Sequence, residues 1–161
     1  MIFVQISDRL TAPQLLEEVQ EITGDGRWLE LAAQETLAQA GGVKEADLTL
    51  LLTGDDQIQE LNHQFLGIDA PTDVLSFPAE EFDPDSGLIY LGDIILSYPR
   101  ALDQAAGSGH PVQDELQLLV VHGVLHLLGY DHAEAAGKAE MWALQAEVLR
   151  RLGCSITGPS E

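Results

Sequence analysis

The most informative stretch of the sequence is His122-Gly123-Val124-Leu125-His126-Leu127-Leu128-Gly129-Tyr130-Asp131-His132, which holds three of the five histidines in the chain. Two histidines four residues apart on a helix lie about 40° apart around its axis and about 6 Å along it, so His122 and His126 can reach one ion. Gly129 can adopt a positive φ, end the helix and bring His132 toward the same point. Zinc is commonly held by three protein ligands with a fourth position left for water, so the spacing predicts a catalytic metal site.

Length and cysteine content predict one cytoplasmic domain. A chain of 161 residues fits a single domain, and one cysteine, Cys154, excludes an intrachain disulfide and fits a reducing compartment. Residues 1–7 lack the basic start and the long apolar run of a signal peptide. The apolar run at 116–128 is too short and too polar to span a bilayer. We therefore expect a cytoplasmic location and no membrane partner.

The chain is strongly acidic, with a formal net charge of −20 and a pI near 4.2. Nonspecific nucleic-acid binding depends on neutralising phosphates, so this charge taken alone argues against it, and against anionic membranes too. A bound divalent metal can still create a local cationic site. The composition alone leaves this conflict open.

Alternating and apolar runs predict about four strands. Residues 1–7 and 48–53 are two of them, and Asp73–Phe77 and Leu88–Leu96 are the others. Gly92 inside the last strand indicates a bulge or a close backbone approach. The acidic segment 79–87 is predicted to be an exposed loop or a hairpin turn.

Helical periodicity predicts five or six helices, among them 112–128 and 133–152, with one helix ending at Gly41-Gly42. The predicted fold class is α+β, a small mixed sheet of about four strands packed by these helices. We expect residues 1–153 to form one domain and residues 154–161 to be a C-terminal tail.

The histidines allow either a structural zinc site or a catalytic one. A closed structural zinc site usually has four ligands, mostly cysteine, and this chain offers one cysteine beyond the last helix, so an open catalytic position is favoured. A metzincin protease has the same spacing of histidines and glycine, but Gly123 stands where its general-base Glu belongs. Without that Glu the protease is disfavoured.

More of the sequence resembles one family. The segment His122–His132 is similar to the H-G-x-L-H-L-x-G-Y-D-H signature of the YbeY family of bacterial metallo-endoribonucleases, the rRNA maturation factors. Further matches follow the family's order: Leu61-Asn62, then Pro71-Thr72-Asp73-Val74-Leu75-Ser76-Phe77-Pro78, then Leu91-Gly92-Asp93-Ile94. The resemblance covers about residues 48–150.

The resemblance implies a single metal-dependent hydrolase domain with one zinc ion per chain on His122, His126 and His132. It implies single-strand-specific cleavage of RNA, in maturation of the small-subunit rRNA 3′ end and in ribosome quality control, with the small subunit or its proteins as partners. The three histidines would act through zinc-activated water, since zinc lowers the pKa of bound water toward about 7. A non-catalytic ribosome assembly factor with a structural metal is the alternative.

One departure from the family concerns a cation. The family usually has Arg after the aromatic residue of its L-N-x-x-[FY]-R motif, and Leu66 stands there in this chain. The metal is then the main electrophile unless Arg100, Lys138 or a histidine substitutes.

Other polar residues have two interpretations each. Asp131 either supports a ligand imidazole or caps the last helix. Thr72, Asp73 and Ser76 either face the cleft or serve a turn. His63 and His110 are predicted to be surface residues, and Trp28 and Trp142 core residues rather than platforms for bases.

Overall fold

Ten elements make up the structure, a computed structural model that describes residues 1–40, 46–131 and 133–156. They are, in chain order, β1 (Ile2–Ile6), α1 (Pro13–Thr23), α2 (Arg27–Ala40), β2 (Ala46–Thr53), α3 (Asp55–Leu66), β3 (Val74–Phe82), β4 (Ile89–Ser97), α4 (Tyr98–Ser108), α5 (Val112–Leu127) and α6 (Ala135–Arg151). The strands form one sheet in the order β1-β2-β4-β3. β1, β2 and β4 are parallel, and β3 is antiparallel to β4. The predicted α+β class is confirmed.

Helix α5 is the centre of the packing. Its buried residues run almost without interruption from Glu115 to Leu127, because it contacts α2, α4, α6, β3 and β4. A helix that is apolar on every side is stable in water only when it is covered in this way. In the described part of the chain, no helix has the length and hydropathy needed to cross a membrane.

The two faces of the sheet are buried unequally. Leu48, Leu50 and Leu52 alternate along β2 and join Ile94 and Leu96 of β4 in the main core, with α5 among the helices that cover it. On the opposite face Ile58 of α3 packs against Leu75 and Ile95 in a smaller core. β2 and β4 are therefore the central strands, as the apolar run at 48–53 predicts.

Strand β3 is longer than predicted. It continues through Pro78 to Phe82, so the predicted loop at 79–87 is wrong in its first half. The turn itself lies at 83–88, where Asp83 N donates to Leu88 O at 2.8 Å. A proline is tolerated in this strand because β3 is an edge strand and its register with β4 shifts between Pro78 and Glu81.

The close backbone approach predicted at Gly92 is confirmed. Its φ is 138°, and a Cβ placed there would lie 2.1 Å from the carbonyl oxygen of Phe77. β2 also changes register here, since Asp47 pairs with Tyr90 and Leu48 with Gly92. A glycine is required because any side chain would overlap the backbone of β3.

The packed chain continues beyond residue 153. Cys154 is buried, and the Ser155 hydroxyl donates a hydrogen bond to the Asp114 carboxylate. Ile156 packs against the cluster formed by α5 and α6. The first three residues of the predicted tail, 154–156, thus pack against the helices, whereas residues 157–161 and the predicted helix end at Gly41-Gly42 lie outside the described residues.

Candidate active site

Helix α5 places two histidines side by side at its C-terminal end. The Nε2 atoms of His122 and His126 are 3.1 Å apart, and their ring centroids are 4.6 Å apart. His122 is 8% exposed, whereas His126 is half-buried. The i, i+4 pair predicted from the sequence therefore converges on one point at the protein surface.

Helix α6 fixes the orientation of His122. Nδ1 of His122 lies 3.0 Å from Oε1 of Gln145, a side chain that is 1% exposed. The amide oxygen can only accept, so Nδ1 carries the proton and Nε2 is left as the basic nitrogen. A hydrogen bond from the remote ring nitrogen is how metal-binding imidazoles are usually held.

The geometry fits a metal that prefers nitrogen ligands. Two nitrogens bound to a tetrahedral zinc at about 2.0–2.1 Å lie about 3.3–3.4 Å apart. The observed 3.1 Å between the Nε2 atoms is close to this separation, and a hydrogen bond between the rings also accounts for it. The two imidazoles therefore suit zinc without a change of backbone.

The third predicted ligand, His132, lies outside the described residues, and within those residues no group of three or more candidate ligand side chains is found. The turn that leads to it is described. Gly129 has a φ of 96° and donates to His126 O at 3.0 Å, while Tyr130 N donates to Leu125 O at 3.0 Å. This pair of bonds is a Schellman motif, so Gly129 ends α5 as predicted.

A cleft of about 570 Å³ opens over the two histidines. Its walls come from α5, α6, the chain leading into β3 and the end of α3. The lining residues are Leu66, Thr72, Asp73, Val74, Leu75, Ser76, Pro78, His122, His126, Lys138 and Trp142. This volume is typical of a site for a small ligand or part of a larger one.

Thr72, Asp73 and Ser76 all lie in this cleft, in agreement with one of their two interpretations. The Ser76 hydroxyl donates to Gly123 O at 3.1 Å and ties β3 to α5. Asp73 accepts a hydrogen bond of 3.3 Å from the Gln104 amide. The buried Asn62 donates to Ala70 O at 2.9 Å, which fixes the loop that carries Thr72 into the wall.

Asp131 serves the turn before α6. Its Oδ1 accepts a hydrogen bond of 3.1 Å from Ala133 N, and the residue is exposed. It does not belong to the lining of the histidine cleft. This bond spans two residues and closes a turn before α6, whose N-cap is Glu134 without a side-chain cap, so Asp131 does not cap the last helix.

The cations of the chain are distributed unevenly around the cleft. Arg100 lies 3.7 Å from the Asp55 carboxylate, and it is absent from the cleft lining. Of the described residues that line the cleft, Lys138 is the one Lys or Arg, and Leu66 lines the same cleft. Of the two cations that the sequence suggests as substitutes for the family Arg, Lys138 is the one at the site.

Two residues of the candidate site are not predicted from the sequence motifs. Trp142 lines the cleft instead of the core, and Gln145 holds His122. Lys138, Trp142 and Gln145 follow at i, i+4 and i+7, so they share one face of α6. The sequence did contain one signal for Gln145. A polar Gln lies between Met141 and Val148 on the buried side of this helix, where an apolar residue is expected.

The remaining histidines lie elsewhere. His63 is exposed on α3, as predicted. His110 is less exposed than predicted, because its Nε2 lies 2.6 Å from the buried carboxylate of Glu115. Neither lines the cleft.

Fold and site together define a class of protein: an α+β domain whose central helix presents a histidine pair, suited to a metal, in a surface cleft. The family model described as Endoribonuclease YbeY matches residues 16–153. The chain belongs to this family, and the resemblance seen in its motifs is confirmed.

Several curated relatives carry the name Endoribonuclease YbeY. The protein of Moorella thermoacetica is 48% identical over 132 residues, which cover 78% of this chain and 85% of the relative. That of Salinispora tropica is 47% identical over 127 residues, covering 73% and 81% respectively. A solution structure from Thermotoga maritima, 27% identical, aligns with a TM-score of 0.51 over 100% of this chain and 97% of that one.

Proposed function

We propose that this chain is a zinc-dependent endoribonuclease that cleaves single-stranded RNA, with one zinc ion on His122, His126 and His132. The observation that carries the proposal is the pair of Nε2 atoms 3.1 Å apart in a cleft of a YbeY family member. The relatives named endoribonuclease support RNA as the substrate. We further propose that it serves maturation of the small-subunit rRNA 3′ end and ribosome quality control in the cytoplasm, in contact with the small subunit.

The residues of the chain have separable tasks in this proposal. The Nε2 atoms of the two described histidines would hold the ion once both are deprotonated, and Gln145 keeps the His122 ring in the tautomer that allows it. The ion would supply a Lewis acid for a phosphoryl oxygen and would lower the pKa of water toward neutrality. The cleft wall formed by residues 72–76 and the end of α3 confines the strand beside the histidines.

The position of Gly123 disfavours the protease. A Cβ at this position would lie 2.8 Å from Cγ2 of Ile94 and 3.3 Å from the Ser76 hydroxyl, so the residue faces the sheet. A glutamate there would meet the packed strands and not the cleft. The general base that a metzincin needs at this position therefore has no room.

The proposal is tested by measuring the zinc content and the RNA cleavage of the variant His126→Ala. The control is His63→Ala, because His63 is exposed and does not line the cleft. We expect about one zinc per chain in the wild type and in His63→Ala, and loss of zinc in His126→Ala, since two imidazoles remain at most. Cleavage of a single strand should stop with a chelator and return with zinc, while a duplex should be cut poorly.

Each other outcome has a definite meaning. Full zinc content in His126→Ala would show that the ligands are misassigned. Bound zinc without RNA cleavage would favour the non-catalytic assembly factor with a structural metal. Cleavage of casein would favour the metalloprotease. Cells lacking the protein should accumulate small-subunit rRNA with an unprocessed 3′ end, and normal 3′ ends would contradict the proposed biological role.

A further inference from the structure

Among the described residues that line the cleft, Lys138 is the one strongly basic side chain, in a chain of net charge −20. The chain has seven Lys and Arg residues in all. Arg9 pairs with Glu60, Arg100 lies near Asp55, and Arg150 and Arg151 both pair with Glu147. Lys138 differs from these four, since within the described residues no carboxylate pairs with it.

The partner of Lys138 is an aromatic ring. Its ammonium lies 4.3 Å from the ring centroid of Trp142, one turn further along α6. A cation over an indole face is attracted by the ring without losing its charge or its capacity to donate hydrogen bonds. The ammonium is therefore held at the cleft and can still bind an anion.

The face of α6 that carries this pair also carries the residue that orients the metal site. Lys138, Trp142 and Gln145 lie at i, i+4 and i+7, and Gln145 bonds His122. Lys138, the two histidines and the apolar Leu66 line the same cleft. An anion that reaches the histidines thus meets Lys138 as the cation of the protein wall.

We propose that Lys138 binds a phosphate of the RNA strand in this cleft and that Trp142 is the positioning residue that holds its ammonium there. The inference rests on the proposed function for the choice of RNA as the anion. A single phosphate contact is also compatible with the acidity of the chain. The contact acts at short range in the cleft, whereas the repulsion between RNA phosphates and acidic side chains is spread over the surface and screened by salt.

Salt-dependent binding tests the contact. The probe is a nuclease-resistant 2′-O-methyl single strand, titrated with the zinc-loaded protein at several NaCl concentrations. Lys138→Met should weaken binding about tenfold at low salt and reduce the slope of log affinity against log salt by about 0.7, the value for one phosphate on a single strand. Lys138→Arg should retain both affinity and slope.

The control for net charge is Arg150→Met, which removes one cation from the same helix about 18 Å further along its axis. Arg150 is exposed and paired with Glu147, so affinity and slope should stay at the wild-type values. An unchanged slope in Lys138→Met, or an equal fall in Arg150→Met, overturns the proposed contact.

The role of Trp142 has its own test. Trp142→Leu should weaken binding about two- to fivefold, the range expected for an exposed cation–π contact, and Trp142→Phe should restore most of it. In the Lys138→Met background Trp142→Leu should have no further effect. A further loss there would mean that Trp142 acts on RNA independently of Lys138, which contradicts positioning.

Zinc content and cleavage of unmodified RNA, measured on the same proteins, separate this proposal from the proposed function. If the wild type binds the strand but does not cleave unmodified RNA, the proposed nuclease activity is refuted. The phosphate contact is then decided by the salt slope of Lys138→Met alone. Cleavage by the wild type with an unchanged slope in Lys138→Met would refute the phosphate contact alone. A wild type that neither binds nor cleaves RNA refutes both.

Discussion

At the scale of single residues, the Gln145 amide determines which nitrogen of His122 is basic. Its Oε1 is 3.0 Å from Nδ1, and the side chain is almost fully buried. Protonation at Nδ1 leaves Nε2 toward His126, which is the arrangement a metal requires. The site thus depends on a residue that is itself too distant along the chain to be recognised as part of the histidine motif.

Replacing Gln145 with Leu should lower zinc affinity about 10- to 100-fold, because His122 loses the acceptor that holds its ring. Competition with a chromogenic zinc chelator measures this. Gln145→Glu keeps an acceptor of similar length and should bind zinc at least as well as the wild type. Wild-type affinity in Gln145→Leu would show that the hydrogen bond does not tune the site.

At the scale of elements, the pairing of β4 with β3 depends on Gly92. The carbonyl oxygen of Phe77 occupies the space where a Cβ would be, and the φ of 138° is costly for any other residue. The regular register of β3 with β4 ends at Pro78, which pairs with Gly92 and lies two residues after Ser76, the residue that ties β3 to α5. The shape of the cleft wall therefore depends on it.

Gly92→Ala should destabilise the protein by roughly 3 kcal/mol or more, since overlap with backbone and strain at a positive φ add together. Urea unfolding measures the change. Gly107→Ala is the matched control, because a Cβ there meets nothing within 4 Å and the residue lies in helix α4. It should be neutral or stabilising by up to about 1 kcal/mol. Equal effects in both variants would contradict the role of the bulge.

At the scale of the whole molecule, the excess of 27 acidic residues over seven basic ones makes the folded chain repel itself. Exposed acidic side chains such as Glu17 and Glu21 on α1 contribute to this repulsion. Salt shortens the range of the repulsion, whereas it also weakens a contact with phosphate. Stability and RNA affinity should therefore respond to salt in opposite directions.

Raising NaCl from about 0.02 to 0.3 M should increase the melting temperature by about 2–4 °C, equivalent to about 1 kcal/mol for a chain of this size. Differential scanning calorimetry measures it. The double variant Glu17→Gln/Glu21→Gln should melt higher at low salt and respond less to NaCl. A melting temperature that falls with salt would show that ion pairs outweigh the repulsion.

Much of the fold was predictable because its signals are local. The alternation in β2 and the long apolar run of α5 depend on neighbouring residues only, and Gly129 at the end of α5 is a local cap. β3 was predicted too short because the acidic segment after Phe77 resembles a loop. Its pairing with β4 through Phe82 is decided by a partner strand and overrides that local preference.

The sequence by itself determined the spacing of His122 and His126, the helix that carries them and the absence of a protease base at Gly123. Only the tertiary structure decided what surrounds them: that Lys138 and Trp142 line their cleft, that Arg100 does not, and that Gln145 orients His122. The physical reason is the distance over which each signal acts. Hydrophobic periodicity depends on residues within one or two turns of a helix and can therefore be recognised in the sequence. The packing of α6 on α5 instead joins residues 23 positions apart, such as His122 and Gln145.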